Sequence, residues 1–253
     1  MKKIVFLGGK EIGYDCLKHL LENSGKHRTH VAAAWLNERK ILSTSQPSLK
    51  NLCAEFSVPV ISSVEEILKI DFDILVSVQF HEILKKEILR KAKQIAVNLH
   101  MAPLPEYRGC NQFSFAIIDG AKEFGTTFHR MEEKIDAGDI LFEKRFPIAE
   151  NITVQQLYEK TLSESVKLFK ENIGQIISGE FSLTPQKNLT GKRKSSFHLR
   201  SDIEKIKQID LNWEKQKILR HFHATYFPPF PPPFAIANGK KIEITPEWIK
   251  ENL

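Results

Sequence analysis

The chain has little cysteine and no long apolar run, and each absence narrows its class. Its three cysteines, Cys16, Cys53 and Cys110, are too scattered for a disulfide framework or a metal-binding spacing, so they fit a reducing compartment. No window approaches the ~20 apolar residues of a membrane span. The apolar start of "MKKIVFLGGKEIG" is too short for a secretory core segment, and the chain is expected to be cytoplasmic. Internal repeats are absent. A complete dinucleotide fingerprint is also missing: "GGKEIG" has glycine at the first and last positions of G-x-G-x-x-G, but Lys10 stands at the middle one. Only glycine there lets the backbone approach a pyrophosphate, and no well-placed acid for a ribose follows about twenty residues on. A nicotinamide site is therefore not expected.

What is present is an ordinary globular composition, 253 residues with 42% hydrophobic and 27% charged. That length allows one large domain, or a medium domain with a small one. The formal net charge is +6, and residues 187–220 carry all of it, with ten Lys/Arg against four Asp/Glu. Such a segment is either a solvated linker or a surface facing phosphates, and composition does not separate the two.

The first two thirds alternate apolar β-branched runs with helical periodicity. "KKIVFLGG", "HVAAAWL", "VPVIS", "DILVSVQF" and "QIAVNLH" read as strands. "EIGYDCLKHLLEN", "PSLKNLCAEF" with Pro47 at its start, and "HEILKKEILRKA" read as helices between them. This alternation predicts an α/β fold with a mostly parallel sheet. "CNQFSFAIIDG" then reads as a helix closed by Gly120, and "GTTFHRM" and "DILFEKRFPI" as strands around a polar turn. A long amphipathic helix follows from Val154, with Thr153 and Gln156 as a capping box. From Phe181 the chain turns basic and proline-rich, which sets a boundary between a domain of residues 1–185 and a small C-terminal region, 186–253. In that region Asn238-Gly239 signals a β-hairpin. "YFPPFPPPF" reads as a stiff extended segment or a polyproline ligand for a partner.

"VNLHMAPLPEYRG" carries the chemistry. Side chains two apart on a strand share a face, so Asn98 and His100 project together at the C-terminal end of a parallel strand, where open α/β sheets place ligands. A neutral imidazole accepts a proton near neutral pH, and an amide beside it donates to an oxygen gaining negative charge. Alone, the pair fits a structural role equally well. Asp136, in the "EKIDAGDIL" turn, has the chemistry to orient and stabilise the imidazole, though D-A-G-D by itself is an ordinary turn. Lys10 at a helix start is a candidate phosphate contact, Tyr226 and Phe227 are candidates to stack on a base, and Asn111 and Gln112 can donate to sugar or phosphate or cap a helix.

"NLHMAPLPEYRG" followed by "GTTFHRMEEKIDAGDIL" resembles the folate-dependent formyltransferases, a group that acts on glycinamide ribonucleotide, methionyl-tRNA and nucleotide sugars. The resemblance covers about residues 1–180. It implies a Rossmann-like sheet of the formyltransferase type, a catalytic triad of Asn98, His100 and Asp136, and 10-formyltetrahydrofolate as donor, held by Gln79, Phe80, Ile83, Leu84 and Asp139. Arg108, Asn111 and Gln112 fall in its acceptor region. The usual Ser-Leu-Leu-Pro after the histidine is here Ala102-Pro103-Leu104-Pro105; the resemblance puts that loop near the acceptor, which argues against the tRNA and purine branches. Tyr107-Arg108-Gly109 and the small C-terminal part look most like the nucleotide-sugar branch, although Pro232 and Pro233 replace its usual Gly-Ala. Within it, the segment is closest to enzymes formylating dTDP-4-amino-4,6-dideoxyglucose for surface polysaccharide (O-antigen) synthesis. A homodimer through the C-terminal region is implied, with neither membrane nor nucleic acid as partner. Three alternatives stay open: a methionyl-tRNA formyltransferase-like enzyme, a hydrolase releasing formate from the same folate, and a non-catalytic adaptor docking through its proline-rich segment.

Overall fold

The computed structural model describes residues 1–37 and 48–253, so the reading of Pro47 as a helix start lies outside the described residues. The strands are β1 (Lys2–Gly9), β2 (Thr29–Asn37), β3 (Val60–Ile61), β4 (Ile74–Val78), β5 (Ile95–His100), β6 (Arg108–Gly109), β7 (Glu123–Arg130), β8 (Ile140–Pro147), β9 (Phe197–His198), β10 (Phe234–Ala237) and β11 (Lys240–Glu243). The helices are α1 (Lys10–Glu22), α2 (Ser24–His27), α3 (Leu49–Glu55), α4 (Val64–Lys69), α5 (Lys86–Lys91), α6 (Gln112–Ile118), α7 (Val154–Ser178), α8 (Ile203–Lys207), α9 (Lys215–Thr225) and α10 (Pro246–Asn252).

Seven strands form one sheet in the order β3-β2-β1-β4-β5-β7-β8. The first five are parallel, and the β7–β8 hairpin joins β5 antiparallel. This is the expected α/β architecture, with the C-terminal hairpin β10–β11 turning at Asn238 and Gly239, both with positive φ as a type I′ turn requires. The central strands are apolar on both faces because helices cover both. On one face Ile4, Phe6, Val76 and Val97 meet α1 and α7; on the other Val5, Leu7, Leu75 and Ala96 meet Ile67 and Ile88. The capping box on α7 is formed as read, Thr153 Oγ1 accepting from Gln156 N–H and Gln156 Oε1 accepting from Thr153 N–H. Among the described residues no helix is long and apolar enough to cross a membrane.

The glycine turn after β1 is a packing requirement. A Cβ on Gly9 would lie 2.8 Å from the Asn37 carbonyl oxygen and 3.0 Å from that of Gln79, because the ends of three parallel strands converge there. That convergence opens the crevice beyond the C-terminal ends of β1, β4 and β5.

The basic segment is not a solvated linker. β9 pairs with β6, and α9 packs against α6, so the C-terminal third folds back onto the sheet domain. Several of its charges are matched: Arg193 with Glu143, Lys194 with Asp119, and Lys205 with Asp202. The proline-rich stretch likewise lines the crevice through Phe227, Phe230, Pro231 and Pro232, which removes the basis for reading it as a free polyproline ligand.

The core makes one direct prediction. Phe169 is fully buried between α7 and the sheet, its ring 5.7 Å from that of Phe128. Phe169→Ala should cost about 3–5 kcal/mol in urea unfolding; a cost below about 1 kcal/mol would mean this packing is not as described.

Candidate active site

β5 ends in the crevice with Asn98 and His100 on one face, as strand alternation requires, and both line a cleft of about 960 Å³. Asp136 reaches them from the β7–β8 turn, where it has a left-handed φ of 50°. Its Oδ2 lies 3.6 Å from His100 Nδ1, and its Oδ1 lies 3.3 Å from Nε2 of a second imidazole, His129. The Gly109 N–H donates to Oδ2 at 3.0 Å. Burial by itself would raise this carboxyl. The positive charge of His100 and the charge and hydrogen bond of His129, each present when its ring is protonated, together with the Gly109 amide outweigh it and hold the group well below the usual carboxylate range.

The partners assign the ring hydrogens. His100 Nε2 is 2.8 Å from the Tyr107 carbonyl oxygen, which only accepts, so Nε2 carries hydrogen and Nδ1 is turned toward Asp136. His129 Nδ1 is 2.9 Å from the Arg130 carbonyl oxygen, so in the neutral ring Nε2 accepts from Asn98 Nδ2 at 3.1 Å, and only when the ring is protonated does Nε2 donate to Asp136 Oδ1. One amide hydrogen of Asn98 is thereby fixed and the other is left for the cleft. The arrangement supplies a proton acceptor backed by a carboxylate, beside an oriented amide donor.

Two loop features make this geometry attainable. Gly109 has a φ of 85°, and a Cβ there would sit 2.3 Å from the His198 carbonyl oxygen; the Arg-Gly ending of the loop therefore allows β9 to approach. The Ala102–Pro105 stretch is buried behind the cleft, with Ala102 among Tyr107, Ala116 and Phe124. None of its residues lines the cleft, although the flanking His100 and Gly109 do, so its composition acts through loop packing.

The remaining expected residues divide. Gln79, Phe80, Ile83 and Leu84 line one wall, with Phe80 edge-on to Trp35 at 5.0 Å and Ile83 72% exposed. Lys10, Asn111, Gln112 and Phe227 line the other parts of the cleft. Asp139, Arg108 and Tyr226 do not line it. Asp139 is paired with Arg130 at 2.9 Å, Arg108 is turned to Ser195 and Ser196, and Tyr226 stacks on Phe222 within the C-terminal cluster.

Sequence reasoning missed His129, Arg200, Lys207, Lys241 and His198, all of which line the cleft. For His129 the signal lay in the register: β5 and β7 set Asn98 directly opposite it. The His198 ring stacks on Phe115 with centroids 3.6 Å apart and planes 7° from parallel. Lys10 Nζ donates to Gln79 Oε1 at 2.6 Å, and burial, then repulsion from Arg200, lower its pKa to about 8 against a weaker opposing effect of Cys110.

Because the Asp136 carboxyl is depressed in the fold, its contribution to stability is present above its unfolded pKa of about 3.9 and is lost as pH falls toward the folded value. Wild type and Asp136→Asn should therefore differ in urea stability at pH 6 and converge as pH drops well below 4. A difference that stays constant across that range would contradict the assignment.

A family model described as formyl transferase matches residues 58–173. The methionyl-tRNA formyltransferase of Geobacillus sp. (strain WCH70) is 31% identical over 214 residues, spanning 81% of this chain and 67% of that protein. The GDP-perosamine N-formyltransferase of Brucella melitensis biotype 1 is 31% identical over 170 residues, 67% of this chain and 63% of that protein. WlaRD, a sugar 3N-formyl transferase solved in the presence of dTDP and 5-N-formyl-THF, superposes with a TM-score of 0.78 at 28% identity, covering 96% of this chain and 85% of its own. With a matching fold across nearly the whole chain and two curated relatives above 30% identity, this chain is an N-formyltransferase and belongs to the formyl transferase family.

Proposed function

We propose that this enzyme transfers the formyl group of 10-formyltetrahydrofolate to the amine of a nucleotide-linked amino sugar. The observation that carries the proposal is the Asn98–His100–Asp136 group in a cleft whose lining divides by chemistry into two unlike parts. One part, Gln79 to Leu84, offers an exposed isoleucine and an aromatic ring beside polar backbone, which fits a flat, hydrogen-bonding pterin. The other part carries three cations, Arg200, Lys207 and Lys241, with Phe227 and with His198, whose ring stacks on Phe115; Lys10, bonded to Gln79, lies where the two parts meet, and together these fit a diphosphate and a base. The neighbour solved with dTDP and 5-N-formyl-THF supports both assignments.

The bound folate supplies an activated formyl carbonyl. Asn98 donates its free amide hydrogen to the carbonyl oxygen as that oxygen gains negative charge. His100 takes the proton of the attacking amine on Nδ1, and Asp136 stabilises the imidazolium that results. The amine–carbon bond forms, the carbon–N10 bond breaks, and His100 returns the proton to the departing nitrogen. His129 keeps the Asn98 amide aimed at the cleft.

The specific acceptor we propose is dTDP-4-amino-4,6-dideoxyglucose, for surface polysaccharide, in a homodimer formed through the C-terminal region. The relatives act on different carriers, GDP-perosamine in one and a 3N sugar with dTDP in another, so the test must vary base and amine position. The similarity to a methionyl-tRNA formyltransferase makes aminoacyl-tRNA the necessary competing acceptor.

Incubated with 10-formyltetrahydrofolate and a panel of dTDP- and GDP-linked 3- and 4-amino sugars, the enzyme should add the mass of one formyl group to at least one of them. Asn98→Ala should lower that rate on the order of 10²–10³-fold. Formylation of methionyl-tRNA with no sugar turned over would overturn the reading. Lys10 is charged below its pKa of about 8 and neutral above it, so nucleoside diphosphate affinity should fall as pH rises through about 8. Lys10→Met should abolish that dependence in calorimetric titrations; an unchanged pH profile would remove Lys10 from the phosphate site.

A further inference from the structure

The His100–Asp136 pair is held by two short stretches, residues 104–110 and the turn at 136–138, and a single segment from the C-terminal third grips both. Gln186 is buried, and its Nε2 donates to the Asp136 and Gly138 carbonyl oxygens at 2.8 Å each. Arg193 Nη1 donates to the Leu104 carbonyl oxygen and to Glu143 Oε1, both at 2.9 Å, while Nη2 meets Glu143 Oε2 at 2.9 Å. Further along, the Ser196 N–H donates to the Pro105 carbonyl oxygen at 3.3 Å, and the His198 carbonyl oxygen accepts from the Cys110 N–H at 2.8 Å. Between these anchors lie the two backbone groups that touch the reacting pair: the Tyr107 carbonyl on His100 Nε2 and the Gly109 N–H on Asp136 Oδ2.

We propose that residues 186–198 act as a clasp that sets the His100–Asp136 geometry, with Arg193 and Gln186 as positioning residues for formyl transfer. The proposal rests on reading Asn98, His100 and Asp136 as the reacting groups. Neither Arg193 nor Gln186 lines the cleft, so neither contacts substrate. The planar guanidinium satisfies one carbonyl and both oxygens of a mostly buried carboxylate at once, which an ammonium cannot do with the same geometry. Without it, the 104–110 loop loses a fixed point three residues before Tyr107. Misplacement by about 1 Å of groups that must meet a reacting centre costs on the order of 10²-fold in rate. Loss in kcat with KM held is the expected signature, because substrate contacts are intact.

The test uses Arg193→Met, Gln186→Met and Arg193→Lys in the full chain, with two readouts. The first is 15N NMR of the His100 ring in the ligand-free enzyme, its signals identified by their absence from His100→Ala. The second is steady-state turnover of 10-formyltetrahydrofolate with the nucleotide-linked amino sugar that the enzyme formylates. Both methionine variants should convert the single Nε2–H tautomer to a mixture and lower kcat by about 10–100-fold, with each KM within about threefold of wild type. Arg193→Lys should recover part of both. Unchanged His100 signals and kcat in folded variants would overturn the clasp, as would a rise in KM alone. If Arg193→Met fails to fold, Gln186→Met, a nearly isosteric change, decides the question. Full turnover by His100→Ala would instead remove the reading of the reacting groups, whatever the clasp variants do.

Discussion

The Asp136 carboxylate is the constraint on which the site depends. Placed among two imidazoles and a backbone amide in a buried turn, it is held as an anion by the Gly109 N–H and by the positive charge each imidazole carries when protonated. Each partner arrives on a different element: His100 at the end of β5, His129 on β7, and Gly109 on β6. The sheet order sets β5 beside β7, so the strand register that builds the core also delivers Asn98 opposite His129 and both within reach of the turn. Fold and chemistry are therefore the same set of hydrogen bonds read at two scales.

The C-terminal third serves this constraint in two ways. Its first part, through Gln186, Arg193 and β9, is fastened to the loop and turn that touch the His100–Asp136 pair. Its later part supplies Arg200, Lys207, Phe227 and Lys241 to the cleft wall. The charge excess of the segment is thus divided. Some cations are paired with Glu143, Asp119 and Asp202, and others, Arg200 and Lys207, line the cleft. The alternatives of linker and phosphate surface were posed for the segment as a whole, whereas the fold assigns its residues to the two tasks one by one.

Much of the architecture was legible because its signals are local. The Thr153–Gln156 capping box, the Asn238-Gly239 turn and the apolar runs of β1, β4 and β5 each depend on neighbours in sequence. The i, i+2 placement of Asn98 and His100 followed from strand geometry alone. What was not legible depends on pairing across long separations. β6 and β9 are two residues each, too short for any periodicity, and are joined across nearly ninety positions, as the Arg108–Ser196 contact shows. His129 belongs to the site only through antiparallel register with β5, and the burial of Ala102 depends on packing against residues of α6 and β7. Arg108, Asp139 and Tyr226 carry suitable chemistry, but nearer partners than the cleft engage them.

The central claim is that folate and nucleotide meet at one carboxylate-backed histidine, each held by its own part of the cleft lining. A crystal structure with 5-formyltetrahydrofolate and dTDP bound together tests it most directly. The account places the formyl-bearing end of the folate within hydrogen-bonding reach of Asn98 and His100, the pterin against Gln79 to Leu84, and the phosphates among Lys10, Arg200 and Lys207. A folate bound with its formyl group away from His100, or a diphosphate held outside the cleft wall built by residues 197–241, would contradict it.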